Sequence, residues 1–228
     1  MSRTLVILAN SVKHNEHCVA GKDINTKEWV RPVSNDEGGA LTAEQCSYIN
    51  KNSSWKVKPL DKITMEFLRH APLIQQPENY LISQEKWTSK SKITRDELDQ
   101  YIDKPQNIWL DTSTSTNRVT SSLVASKAIV ITQSLYLIKI NILNLQIRTE
   151  QINGIEKLRL KGSFEYNGVY YENLAITDPK IWKEYKEKPI GKYEVKDVYL
   201  CLSLGEEFVF FLLIVYPFIY CLIIIFLN

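Results

Sequence analysis

The stretch His14-Asn15-Glu16-His17-Cys18 sets two imidazoles, a carboxylate and a thiol almost side by side, the densest group of metal-ligating residues in the sequence. Structural zinc takes four ligands in a tetrahedron, usually as spaced pairs from two loops. The only other histidine is His70, and Cys18, Cys46, Cys201 and Cys221 form no Cys-x-x-Cys pair. The segment is therefore read as a turn entering a strand with Cys18 buried, and no metal is assigned. Asp111, Asp178 and Glu206 could supply carboxylates for acid/base chemistry, and Ser11, Ser34 or Cys18 a nucleophile. No Gly-x-Ser-x-Gly, phosphate-cradling glycine loop or His-Glu-x-x-His accompanies them. Asp178 is explained as a helix cap and Glu206 as a strand-end residue, so no catalytic residue and no cofactor is assigned.

Binding chemistry is better represented. In Trp29-Val30-Arg31-Pro32-Val33, alternation along a strand sends Trp29, Arg31 and Val33 to one face, an indole beside a guanidinium. Such a pair can stack a base and hold a phosphate. The competing reading is an edge strand blunted by Pro32, with Trp29 covering the core and Arg31 ion-paired. Trp109-Leu110-Asp111 and Asn117-Arg118-Val119 likewise bring an aromatic, a carboxylate and a base to a Ser/Thr-rich loop, where Asp111 and Arg118 either meet a ligand or tie the loop down. Formal net charge is +2 over 228 residues, nearly neutral in each half. Holding a long duplex needs a basic excess on one face, so any nucleic-acid site here is a local groove or pocket.

The elements that must position these residues are mainly strands. Apolar or alternating runs at residues 5–8, 18–23, 29–33 and 63–68 predict a meander with a tight turn at Asn25-Thr26-Lys27. Residues 35–58 read as an insertion loop with a short helix capped by Thr42. Thr94 with Glu97 forms a capping box ahead of Leu98 and Tyr101. The Ser/Thr-rich stretch 111–122 reads as a linker, giving a first domain over 1–126 and a second over 127–207. In the second, residues 135–147, 158–166 and 170–176 are strands, with Asn167-Gly168 as a hairpin turn. Thr177-Asp178-Pro179 opens a helix, and residues 193–202 form a closing strand. That order is the one expected of a five-stranded barrel with a helix before its last strand.

Residues 208–227 carry no charge. As a helix they would span about 30 Å, a hydrocarbon core's thickness. Three readings stand: a transmembrane helix making membrane contact, a buried strand pair, or an out-of-frame or chimeric tail. The scattered cysteines and the lack of a signal peptide at the N-terminus fit a cytoplasmic globular domain.

Taken together, several segments resemble the dual OB domain-containing proteins, a prokaryotic family. They are Arg3-Thr4-Leu5-Val6, Ala9-Asn10-Ser11, Lys13, Cys18-Val19-Ala20-Gly21, Glu28-Trp29-Val30-Arg31-Pro32-Val33-Ser34 and Trp109-Leu110-Asp111. Farther on come Arg118-Val119, Ser134-Leu135-Tyr136-Leu137-Ile138, Thr177-Asp178-Pro179 and Cys201-Leu202-Ser203-Leu204-Gly205-Glu206. The resemblance runs from residue 3 to about 208 and departs at the apolar tail. It implies a mainly β protein of two tandem OB-like five-stranded barrels that recognises single-stranded nucleic acid or a nucleotide, in a prokaryotic defence or stress setting. Lys13, Trp29, Arg31, Asp111 and Arg118 are the binding surface carried over from it. A membrane-tethered protein-interaction scaffold and a nucleotide-processing enzyme are the alternatives.

Overall fold

A computed structural model describes residues 1–13, 16–51, 53–109, 118–208 and 218–226; for residues 13, 152, 205–208 and 218–226 the description is of the backbone alone. The chain divides into two compact units, Met1–Ile102 with Ile131–Leu135, and Asp103–Val130 with Tyr136–Asn228. The expected division at 126/127 differs from this one. The Ser/Thr-rich composition suggested a linker, but its residues 118–120 form a strand that pairs inside the second unit.

Apolar alternation builds the first unit. Its strands are β1 (Ser2–Lys13), β2 (Glu16–Asp23), β3 (Trp29–Val33), β4 (Ser47–Asn50), β5 (Ser53–Lys56), β6 (Asp61–His70), β7 (Asn79–Ile82) and β8 (Trp87–Lys92). Ile63, Met65 and Phe67 of β6 are buried and pack with Leu5, Ile7, Val19 and Val30, while the intervening residues of β6 reach toward solvent. β1 pairs with β2 and with β6, β2 with β3, β6 with β7, all antiparallel, and β3 with β7 in parallel. These pairings close a ring of five strands, β1-β2-β3-β7-β6. The β2–β3 turn forms where predicted: Asp23 Oδ1 accepts from Asn25 N at 2.8 Å, and Lys27 takes φ 62°. Gly21 lies so close to β1 that any side chain there would strike the Val6 carbonyl. The segment expected as an insertion loop contains the β4–β5 hairpin, which extends the sheet through β8. Glu97 Oε2 accepts from Thr94 N at 2.7 Å, and the helix it starts is a 3-10 turn, Asp96–Tyr101, with Leu98 and Tyr101 buried.

The second unit contains β9 (Arg118–Thr120), α1 (Ser121–Ala125), β10 (Leu135–Ile152), β11 (Ile155–Tyr166), β12 (Val169–Ile176), α2 (Pro179–Tyr185), β13 (Gly191–Phe208) and β14 (Phe218–Phe226). Two Asn-Gly turns set its registers. Asn153 and Gly154 join β10 to β11, Asn167 and Gly168 join β11 to β12, and all four take positive φ, as two-residue hairpin turns demand. Asp178 caps α2, its Oδ1 accepting from Ile181 N at 2.9 Å, with Pro179 in the first turn. The helix precedes the fourth strand rather than the last. β14 closes the ring β10-β11-β12-β14-β13, antiparallel to β13 and parallel to β12.

Of the three readings of the apolar tail, the strand reading matches residues 218–226, which form a barrel strand also paired with β9. Among the described residues no helix is long and apolar enough to cross a membrane. Ile223-Ile224-Ile225 favours a strand through its β-branched side chains.

Both rings share one connection pattern: a three-strand meander, a crossover, and two more strands, with the third and fifth parallel. This is the five-stranded OB arrangement, so the expectation of two tandem OB-like barrels holds.

Candidate nucleic-acid interface

The chemistry lies on the outer face of the second barrel, and the β10–β11 register puts it there. Leu143, Leu145 and Ile147 pair with Phe164, Gly162 and Leu160, and all six are buried. The alternate positions must face outward, so Asn144 stands opposite Ser163, Gln146 opposite Lys161, Arg148 opposite Arg159 and Glu150 opposite Lys157. Arg148, Arg159 and Lys161 thereby crowd one patch beside Glu150, with Lys157 directly opposite that carboxylate.

Glu150 is gripped from two sides. Arg148 donates to its Oε1 from Nη2 at 2.6 Å and from Nε at 2.9 Å, and Arg159 Nε lies 3.7 Å from Oε2. Burial pushes the Glu150 pKa up, but the Arg148 hydrogen bonds and the charges of Lys161, Arg148 and Arg159 outweigh it and hold the carboxyl below its usual range. Arg148 Nη1 also donates to Asn173 Oδ1 at 3.1 Å. That contact depends on a bulge. Two residues of β12, Glu172 and Asn173, lie between the rungs Phe164–Tyr171 and Gly162–Leu174, and Asn173 takes φ 58° with its N–H donating to Ser163 Oγ at 3.0 Å. Bulges of this kind re-aim a side chain.

Lys161 differs from its neighbours. It is half-buried, and its ammonium makes no hydrogen bond or ion pair among the described residues. Burial lowers its pKa; Glu150 works against that, while Arg148 and Arg159 add to it. A partly desolvated cation beside two guanidiniums is a site that an anion stabilises. Farther along the same face, Tyr170 stands opposite Glu165 and is 52% exposed, an aromatic residue on which a base can stack.

The corresponding face of the first barrel is covered by its own unit. Trp29 is 6% exposed and Arg31 8%. Arg31 Nη2 lies 3.4 Å from Glu78 Oε1 and donates to Ser134 Oγ at 2.9 Å; Ser134 in turn hydrogen-bonds Glu78 through its hydroxyl and its N–H. Lys22 Nζ lies 5.2 Å from the Trp29 ring centroid and donates to the Tyr101 carbonyl at 2.8 Å. The segments 96–101 and 131–135 of the same unit therefore occupy the indole–guanidinium face. Trp29 and Arg31 follow the competing reading of this strand: β3 is buried at all five positions, and the arginine is paired with Glu78.

The other sequence candidates do not gather into one site. Lys13 ends β1, where only backbone is described, and Asp111 lies outside the described residues. Arg118 is in β9, opposite Tyr220 of β14. In the tempting metal segment, His14 lies outside the described residues, and His17 Nδ1 is 2.8 Å from Asn10 Oδ1. Cys18, expected to be buried, is exposed, and burial with a contribution from Cys18 pushes the Cys46 thiol up to about 12. Sequence reading passed over the actual cluster, although its signal was present. Leu145-Gln146-Ile147-Arg148 and Leu158-Arg159-Leu160-Lys161 alternate apolar with polar or basic residues, and Asn153-Gly154 between them fixes the register that brings the basic rows together.

Residues 3–221 match the family model described as a dual OB-containing domain. The match extends past residue 208, where the resemblance read from the sequence departs, and into β14. No curated protein and no solved structure matches the chain. OB folds commonly bind oligonucleotides on the face of their second and third strands and the adjoining first loop. In the second barrel these are β11, β12 and the Asn153-Gly154 turn.

Proposed function

Because the chain belongs to the dual OB-containing domain family, we propose that it is a noncatalytic binding module that takes single-stranded nucleic acid or a nucleotide on the outer face of β10, β11 and β12. One observation carries this reading: Arg148 and Arg159 share the Glu150 carboxylate, with Lys161 unpaired beside them among the described residues, on the face that OB folds use for ligands. Like charges directly across a sheet are destabilising, so such a cluster is the kind of local conflict expected at a functional surface. The first barrel, with its face closed by Glu78 and Ser134, acts as a structural partner. The prokaryotic defence or stress setting implied by the resemblance belongs to the same proposal.

Fluorescence anisotropy with short single-stranded DNA and RNA tests it. Micromolar or tighter binding, weakened by Lys161→Gln and Arg159→Gln and unaffected by Lys27→Gln on the first barrel, is the expected result. Absence of binding below millimolar, or binding indifferent to both β11 substitutions, would remove the proposal.

A further inference from the structure

Arg148, Arg159 and Lys161 lie close together on two adjacent strands, with Lys157 two residues before Arg159 on the same face, opposite Glu150. Arg148 and Arg159 are cross-strand partners, and Lys161 is two residues beyond Arg159 on the same face. Backbone spacings put Arg148, Arg159 and Lys161 within roughly 8 Å of one another, since cross-strand neighbours are about 5 Å apart, alternate residues about 6.6 Å and diagonal ones about 8 Å. Long, flexible side chains starting that close together reach a single phosphate. A protein that holds a strand through successive phosphates lines a groove with positive charge along the backbone's path. Here the basic positions stop at Lys161, and the row beyond it is neutral and then acidic: Ser163 and Asn144, then Glu165 and Glu172, both exposed.

Charge balance points the same way. Arg148, Lys157, Arg159 and Lys161 against Glu150 leave a local excess of three positive charges. An internal phosphodiester carries one negative charge, whereas a phosphomonoester carries about −1.5 to −2 at neutral pH and offers three acceptor oxygens. Only Arg148 is committed to Glu150 through short hydrogen bonds. Arg159 approaches it through Nε alone, and Lys161 makes no ion pair among the described residues. Two cations therefore have donors to turn toward a third group.

We infer that the β10–β11 cluster is a terminal-phosphate site, taking a phosphomonoester at the end of a nucleic-acid strand or on a free nucleotide in preference to an internal phosphodiester. The inference rests on the proposed binding of nucleic acid or nucleotide to this face and narrows it to one end group. Glu150 fixes Arg148 in place and keeps the empty site from carrying its full positive charge.

The test uses the full chain and labelled oligonucleotides of one sequence bearing a 5′-phosphate, a 3′-phosphate, or hydroxyls at both ends, with the label at the opposite end or internal. One phosphorylated form is expected to bind about tenfold or more tightly than the hydroxyl form, the size of effect one charge-assisted hydrogen bond gives. Phosphatase treatment should erase the difference, and Lys161→Gln and Arg159→Gln should each reduce it while thermal melting stays near that of the parent. Competition by a nucleoside monophosphate as effective as the phosphorylated strand would identify the free nucleotide as the source; competition only by the strand would identify the strand end. Equal binding of all three strands would overturn the terminal-phosphate inference and leave the nucleic-acid reading standing. No binding of any strand, nucleotide or inorganic phosphate would overturn both.

Discussion

Arg148 on β10 and Arg159 on β11 stand directly opposite each other on the outer face of the second barrel, with Glu150 reaching both. Cross-strand like charges oppose pairing by a fraction of a kilocalorie or more, and the carboxylate only partly relieves them. Arg159→Gln should therefore leave stability unchanged or raise it by up to about 1 kcal/mol. It should weaken oligonucleotide binding by about tenfold. Urea unfolding alongside anisotropy checks this. Lower stability with intact affinity would make the cluster a structural ion network.

The pH response of Lys161 runs in opposite senses for folding and for binding. Its pKa in the folded protein lies below the ordinary lysine value of 10.5, because of burial and the neighbouring Arg148 and Arg159, with Glu150 pulling the other way. Between the lowered value and the ordinary one, the unfolded chain binds the extra proton, so stability contributed by this group rises with pH across that window. An anion on the cluster favours charged Lys161, so affinity should fall as pH rises through the same window. Lys161→Gln should flatten both trends, as read by unfolding and binding titrations in the alkaline range.

Arg31 is a separate case. Its guanidinium is paired with Glu78 inside the first unit, both side chains being 10% exposed or less. Removing one partner of a buried pair leaves an uncompensated charge and costs about 3–5 kcal/mol. Glu78→Gln should thus destabilise the first unit by about that amount, measured by chemical denaturation, with oligonucleotide affinity unchanged at temperatures where the variant is folded. Lost affinity in a folded Glu78→Gln protein would return the binding role to the first barrel.

Residues 218–226 close the second barrel through β13 and β12. Ending the chain after Phe208 should remove protection from hydrogen exchange across β12 and β13 and abolish binding. If the tail served only as an anchor, the shortened protein would keep that protection and bind as before.

Much of the fold was legible in the sequence because the signals were local. Asn167-Gly168 demands positive φ, Asp178-Pro179 caps and starts a helix, and the alternation in residues 63–68 marks one buried face; each depends only on its neighbours. The tail was less legible. An unbroken apolar run fits a membrane helix or a buried strand, and only long-range pairing with β13 and β12 decides. The site was half legible. Arg31 and Trp29 have the right chemistry at the right spacing, but Glu78 and Ser134, distant in sequence, close over them. Arg148, Arg159 and Lys161 look like ordinary solvated residues until the register of two strands sets them side by side.

The most direct test of the central claim is a two-dimensional amide NMR titration of the full chain with a short 5′- or 3′-phosphorylated single strand. The account predicts shifts centred on Gln146, Arg148, Arg159, Lys161 and Asn173. Shifts centred instead on Lys22, Trp29 and Arg31 of the first barrel, with the β10–β12 face unmoved, would contradict it.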